Sequence, residues 1–295
     1  MKIASFKLRD TKRGETRLGL VIDGGVVEFD TVPDMLTLIT DFSRHRTALS
    51  QLMSQPRQLA DVKLEPPIKR PGKIICLAGN YRAHITESGY IAPAQTEVFT
   101  QQLFLKPATC ITGDGDPILF DKPNVMVGWE TELAVVIGKR GKHIDPARAY
   151  EYIFGYTILN DVSERRLNSR IENRTKREMD GFLDWLAGKW FDSFAPCGPW
   201  IVTADEIPDP HDLEIKLTVN GQIRQQGNTC DMIFKIPEQV AYISSIMTLE
   251  PGDIISTGTP VGAGIAGDSS LHDKDELVCE IEHIGSLRNT VRYVS

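Results

Sequence analysis

The sequence predicts a β-rich α+β fold. Three observations carry this reading: strand-like segments dominate after residue 73, short Gly-containing turns join several of them, and strands do not alternate regularly with helices as in a doubly wound fold. With 295 residues, the chain has room for one large domain and a small attachment. The expected division is 1–70 as a small N-terminal unit and 71–295 as the main domain.

Taken in order, residues 3–6, 17–22 and 26–29 read as a meander, the last two segments joined at Asp23-Gly24-Gly25. From 33 to 53 the apolar residues Met35, Leu36, Leu38, Ile39, Leu49 and Leu52 fall at helical intervals, with Ser43 as the cap between two short helices. Residues 64–72 are rich in proline and charge and read as the linker. Beyond it, strands are expected at 73–77, 103–105, 117–120, 130–137, 152–160 and 200–202. Leu213, Ile215, Leu217 and Val219 alternate with Glu214, Lys216 and Thr218, a half-buried strand that Asn220-Gly221 closes as a hairpin. Residues 237–247 read as a helix with Pro237 in its first turn, stopped by Pro251-Gly252-Asp253 before a strand at 254–257. A last hairpin is expected from 276–282 and 287–294.

Composition narrows the function. Hydrophobic residues at 41% and charged residues at 25% fit a chain that folds throughout. A net charge of -7 and a pI near 5.5 exclude non-specific attraction to nucleic acid or anionic lipid, both of which need a basic face. No stretch approaches the roughly 18 consecutive apolar residues of a membrane span, and the first ten residues lack the apolar core of a signal peptide. Cys76, Cys110, Cys197, Cys230 and Cys279 are odd in number, dispersed, and without a C-x-x-C pair. Free thiols in a reducing cytosol are the expectation, with a small molecule as the partner.

Glu130 and Glu132 stand at i and i+2 before the apolar run 133–137, so strand geometry turns both carboxylates to one face. Like charges at the end of a buried strand need compensation, which a hard divalent cation provides, unless the strand end is solvated and the acids face outward. Asp161 follows the apolar pair Ile158-Leu159 and lies where a third ligand belongs, or where an Asx cap would start a helix near Ser163. Three carboxylates with waters suit Mg²⁺ or Mn²⁺ better than zinc. His84 and Glu87 are one helical turn apart, close enough to form a general base or an ordinary surface pair.

These residues resemble the active-site motifs of the fumarylacetoacetate hydrolase family, in its bacterial acylpyruvase and 2-hydroxyhepta-2,4-diene-1,7-dioate isomerase-like branch. Gly79-Asn80-Tyr81 with His84 and Glu87 opens the series. Phe104-Leu-Lys-Pro107, Glu130-Thr-Glu132, Asn160-Asp161-Val-Ser163, Gly188-Lys189, Asn220-Gly221, Gln225-Gln226, Met232-Ile-Phe234 and Thr257-Gly-Thr-Pro260 follow in the family's order. The resemblance is close from about 71 to 264. It implies a rolled mixed β-sheet domain, usually a homodimer, with a metal on Glu130, Glu132 and Asp161 and Lys189 beside it. His84 and Glu87 become a water-activating dyad on a mobile segment, and Tyr81, Gln226 and Thr259 are set against the substrate. The implied metal is Mg²⁺ or Mn²⁺, with Ca²⁺ an acceptable substitute in crystals.

Two features depart from the pattern. The family often has valine in the glycine-rich stretch after its threonine-proline pair, where this chain reads Val261-Gly-Ala-Gly264. The polar segment 164–180, with Arg165, Arg166, Arg170, Arg174, Lys176 and Arg177 among Glu172 and Glu178, reads equally as a substrate-covering lid or as a solvated helix. The expected reaction is metal-dependent hydrolytic C–C cleavage of an acylpyruvate-like 2,4-diketo acid. The alternatives are isomerisation, decarboxylation or dehydration of a 2-oxo acid on the same fold, or non-catalytic metal or metabolite binding.

Overall fold

A computed structural model describes residues 1–9, 14–53, 61–94, 97, 99–121, 126–167, 173–264 and 270–294. The N-terminal meander forms as β1 (Lys2–Leu8), β2 (Arg17–Ile22) and β3 (Gly25–Phe29). Asp23 and Gly24 turn the β2–β3 hairpin with φ of 47° and 82°, the left-handed pair that matches strand twist. Two short helices follow, α1 (Met35–Thr40) and α2 (Phe42–Leu52). Ser43 is not the cap between them: Asp34 caps α1, accepting the Thr37 N–H at 2.8 Å, and the chain breaks at Asp41, leaving Ser43 inside the first turn of α2.

The segment read as linker opens on the end of a strand. β4 (Val62–Glu65) pairs antiparallel with β1, and Pro66, Pro67 and Ile68 are buried. Proline is acceptable there because the strand ends just before it. After it come β5 (Ile74–Ala78), α3 (Arg82–Glu87), β6 (Gln102–Lys106), β7 (Ile111–Thr112), β8 (Pro117–Phe120), β9 (Val127–Gly128), β10 (Thr131–Ile137), β11 (Ile153–Asn160) and β12 (Ser163–Glu164). The remaining elements are α4 (Asp180–Ala187), β13 (Ala195–Thr203), β14 (Glu214–Val219), β15 (Gln222–Asn228), α5 (Ile236–Ile246), β16 (Ile254–Ser256), β17 (Glu276–Ile281) and β18 (Gly285–Tyr293). Asn220 and Gly221, with φ of 51° and 75°, form the expected β14–β15 turn.

The sheets are mixed, and the fold is the β-rich α+β class. A large sheet runs β3-β2-β1-β13-β11-β10-β16-β5-β6, with β4 and β7 branching from β1 and β13. Its β16–β5 and β13–β7 pairs are parallel. A second sheet, β15-β14-β17-β18-β8, packs on one face of the first. The N-terminal residues share sheet and core with the rest, because β1 pairs with β13 and Val136, Phe154 and Ile201 pack among Leu20, Leu38 and Leu49.

β10 sits at the centre and is buried along its whole length. Leu133, Val135 and Ile137 face the second sheet, packing with Ile215, Leu217 and Leu277. The alternate residues face away, Ala134 among Cys76, Phe104 and Trp185. Period-2 geometry therefore carries Glu132 to the face opposite the main core. No helix among the described residues is long and apolar enough to cross a membrane.

Candidate metal and proton-transfer site

The register of one strand pair builds the site. β10 and β11 are antiparallel with Thr131 opposite Asn160, so Glu130 and Asp161 come out opposite each other, and the Asp161 N–H donates to the Glu130 carbonyl at 2.8 Å. Asn160 fastens the same end, its side-chain oxygen accepting the Glu130 N–H at 2.9 Å. Glu130, Glu132 and Asp161 each offer a carboxylate oxygen within 4.8 Å of the other two, and all three are buried. The solvated-strand-end reading of the E-x-E pair fails on that burial. Asp161 caps no helix either: β12 follows it, with Ser163 and Glu164 paired to β9.

Cations from separate elements converge on the acids. Lys189, just beyond α4, donates from Nζ to Glu130 Oε2 at 3.0 Å, Asp161 Oδ2 at 2.7 Å and Ser163 Oγ at 3.0 Å. Lys106, at the end of β6, donates to Asp161 Oδ1 at 2.6 Å. Arg165 donates to Glu130 Oε1. Among the described residues Glu132 has no cation within bonding distance: Oε2 accepts from Ser256 Oγ at 2.5 Å and from the Gly258 N–H at 2.9 Å. The aromatic rings of Phe104 and Trp185 flank Lys189, 4.8 and 5.5 Å from Nζ to ring centre.

Burial works against every charge here, and the outcome differs by residue. At Glu130 burial is outweighed by Arg165, Lys189 and His84, which hold the carboxyl below the usual carboxylate range. At Glu132 burial, joined by the negative charge of Asp161 and Glu130, pushes the carboxyl well above that range against Ser256 and Lys189. Burial of Lys189 is overcome by Asp161 and Glu130, which raise its ammonium above the ordinary lysine value. The site is thus short of positive charge at Glu132. An all-oxygen, buried, acidic donor set with that deficit fits a hard divalent cation.

The dyad lies against this group on α3. His84 Nε2 is 4.0 Å from Glu130 Oε1, and Nδ1 is 3.5 Å from Glu87 Oε2, within ion-pair reach but without hydrogen-bond geometry. Glu87 is held from the other side, its two oxygens accepting the Gly262 N–H at 3.1 and 3.0 Å. His84 and Glu87 therefore meet as the i, i+3 spacing predicts.

The three residues expected against substrate separate. Tyr81 is buried, its hydroxyl without a hydrogen-bond partner among the described residues, and burial followed by the charge of Glu132 pushes that hydroxyl well up. Thr259 is buried and its hydroxyl is engaged, donating to the Thr131 carbonyl at 2.9 Å and accepting from Gln225 Nε2 at 2.9 Å. Gln226 is exposed, bonded to Glu214 at 3.1 Å, and with Tyr81, Arg82 and Asp231 lines a cleft of about 550 Å³. Its neighbour Gln225 is the inward residue, bonding the Thr131 N–H, Thr259 and the Pro260 carbonyl. In the polar segment no described residue of 164–179 is α-helical, and Arg174 and Arg177 pair with Asp180 at the start of α4. Arg170 and Glu172 lie outside the described residues. Lys106, quoted only inside the Phe104–Pro107 motif, and Arg165, named only in the polar segment, are residues of this site to which the sequence reading assigned no place in it.

Residues 73–292 match the model of the fumarylacetoacetate (FAA) hydrolase C-terminal family. The chain is 37% identical over 303 residues to the mitochondrial oxaloacetate tautomerase Fahd2a of Rattus norvegicus, an alignment covering 99% of this chain and 91% of the relative. Among solved structures it is similar to maleylpyruvate hydrolase from Sphingobium sp. SYK-6 in complex with manganese(II) and pyruvate, at 33% identity and a TM-score of 0.79 over the whole of both chains. It is also similar to 2-hydroxyhepta-2,4-diene-1,7-dioate isomerase from Mycobacterium marinum, at 31% identity and a TM-score of 0.72 over 99% and 98% of the two chains. A mixed-sheet fold with a buried acidic triad at the end of its central strand defines a metal-site enzyme scaffold. The chain belongs to the fumarylacetoacetate hydrolase family.

Proposed function

We propose that this chain is a divalent-metal-dependent enzyme of small 2-oxo acids, and that its reaction is hydrolytic C–C cleavage of an acylpyruvate-like diketo acid. The observation that supports this reading is the place of His84, with Nε2 facing Glu130 of the triad and Nδ1 facing Glu87. An imidazole between a carboxylate and a cation site is set to move a proton at whatever is held there. Glu130, Glu132 and Asp161 would hold Mg²⁺ or Mn²⁺, which when bound supplies Lewis acidity toward the carboxylate and keto oxygens of a 2-oxo acid.

On this reading His84 Nε2 takes a proton from water, and Glu87 steadies the imidazolium through Nδ1. The water oxygen adds to the distal carbonyl carbon. The C–C bond between that carbon and the methylene breaks, and its electron pair stays on the methylene carbon. His84 returns the proton there, so a carboxylic acid and a shortened 2-oxo acid leave. Lys189 holds Glu130 and Asp161 in place and offsets negative charge as it develops. We further propose a cytosolic homodimer, although the rat relative carries a mitochondrial name.

A second reading, keto–enol tautomerisation of oxaloacetate, is favoured by that rat relative, whose alignment takes in nearly the whole chain. The same base would take a proton from the carbon beside the keto group and return one to the enol oxygen, consuming no water. One set of assays with Mg²⁺ or Mn²⁺ separates the two. Metal-dependent loss of diketo absorbance across an acylpyruvate panel, with equimolar pyruvate formed, supports hydrolysis. Faster decay of enol-oxaloacetate absorbance with the oxaloacetate retained supports the second reading. Neither activity on any substrate would overturn both.

A further inference from the structure

The dyad's carboxylate is fixed from outside its own helix. Glu87 is a half-buried residue at the end of α3, and its partner is a backbone amide in the loop after Thr259, the N–H of Gly262. Gly262 is in the left-handed region, with φ of 95°, and a Cβ there would lie 2.1 Å from the Arg224 carbonyl oxygen, so only glycine suits this position. The loop is held at the same residue from the opposite side: the indole Nε1 of Trp129 donates to the Gly262 carbonyl at 3.0 Å. Trp129 is 3% exposed and immediately precedes Glu130. The loop also packs closely on β9, where a Cβ on Gly128 would fall 2.3 Å from the Gly264 carbonyl oxygen.

We propose that Trp129 is a positioning residue for the His84–Glu87 dyad, acting through Gly262. The inference rests on the reading of that dyad as the proton-transfer base. The two peptide units that flank Gly262 are both held, the following one by the Trp129 indole and the preceding one by the two oxygens of Glu87. With the carbonyl anchored, the N–H points at Glu87, and Glu87 stays beside His84 Nδ1. Trp129 and Glu130 are consecutive, so one stretch of chain sets both a triad acid and, through the loop, the orientation of the dyad. A bare backbone amide on a glycine-rich loop would otherwise swing by rotation about its own flexible φ and ψ.

The test is a double-mutant cycle on turnover together with amide exchange of Gly262. Trp129→Phe keeps a ring in place and removes the N–H. It should lower kcat about tenfold, the size of one hydrogen bond in the supporting shell, with KM and Mn²⁺ affinity within twofold of wild type. In a Glu87→Ala background the same substitution should cost nothing further, since the residue it positions is gone. Gly262 amide exchange should quicken in both Glu87→Ala and Trp129→Phe. A tenfold loss that persists in the Glu87→Ala background, or a parallel fall in Mn²⁺ affinity, would overturn the proposal by placing the effect in general packing or at Glu130. So would Gly262 exchange unchanged in either variant, a readout that needs no activity. Failure of the function reading shows separately, as wild-type turnover in His84→Ala.

Discussion

The acidic triad and the dyad beside it are built to different standards. Glu130, Glu132 and Asp161 stand on or beside two strands of the large sheet that are buried along their whole length, and cations or hydroxyls hold each of them. His84 and Glu87 ride a six-residue helix with no buried residue, and their mutual contact is 3.5 Å without hydrogen-bond geometry. A charge cluster that must keep three like charges together needs a rigid, over-determined surround. A proton carrier needs to approach and withdraw, and a short helix with few anchors allows that. The contrast teaches that the two halves should fail differently.

The largest effect is expected from the triad. Glu132→Ala or Asp161→Ala should lower Mn²⁺ affinity by more than the ~10–100-fold that loss of a supporting partner costs, and abolish turnover with it. Titration calorimetry with Mn²⁺ measures this, and unchanged affinity would end the metal assignment. His84→Ala should lower kcat by roughly 10²–10⁴ while leaving Mn²⁺ binding intact. If that variant lost the metal as fully as Glu132→Ala, the two halves would be one.

A smaller effect probes the cations. Lys106→Met removes one of two ammonium groups on a buried carboxylate, and because Lys189 stays on Asp161 the loss should sit near the low end of the usual range, about 3 kcal/mol. Chemical denaturation of the metal-stripped variant reads it directly. An equivalent change at surface Arg140, paired with Glu250 in solvent, should cost under about 1 kcal/mol.

The smallest effect is a slope. The Glu132 carboxyl titrates above its ordinary value because burial, Asp161 and Glu130 all favour the protonated form. A cation needs the ionised form, so binding releases that proton, and Mn²⁺ affinity should fall as pH drops through the raised pKa. The decline should therefore begin at higher pH than an exposed glutamate would give. Calorimetry in buffers of different ionisation enthalpy counts the proton, and Glu132→Gln should lose the pH slope of that step.

Much of this was legible before any coordinates, for physical reasons that differ by residue. Glu130 and Glu132 could be read because strand alternation is a local rule, and Asp161 because an apolar run marks where its strand ends. The Gln225-Gln226 pair shows where the same rule breaks down. A β-bulge shifts the β14–β15 register between Leu217 and Thr218, and only the pairing reveals that Gln225 faces inward and Gln226 outward. Lys106 left a trace in hindsight, two residues after Phe104 on the same buried face of β6. Arg165 left none, being one of several arginines in a polar run, and only the β9–β12 pairing brings its part of the chain to Glu130. The Ser43 cap and the alternative of a helix near Ser163 failed because a hydroxyl near a helix start is a weak signal beside a neighbouring aspartate or an available strand partner.

The pairing of β1 with β13 has a practical side. Lys2 and Ile3 occupy the edge of β13 at Val202 and Ile201, with β4 continuing along the same flank of β1 and β2 on the other. A protein cut back to the stretch that matches the family would therefore present bare ladder amides and carbonyls from β13, together with the apolar face of Ile201 and Phe154 that Leu20 and Leu38 now cover. Such an edge recruits strands from other molecules. Shortened versions of this protein should come out of the cell as aggregates, whatever the soundness of the chemistry they carry, and studies of the site belong on the full chain.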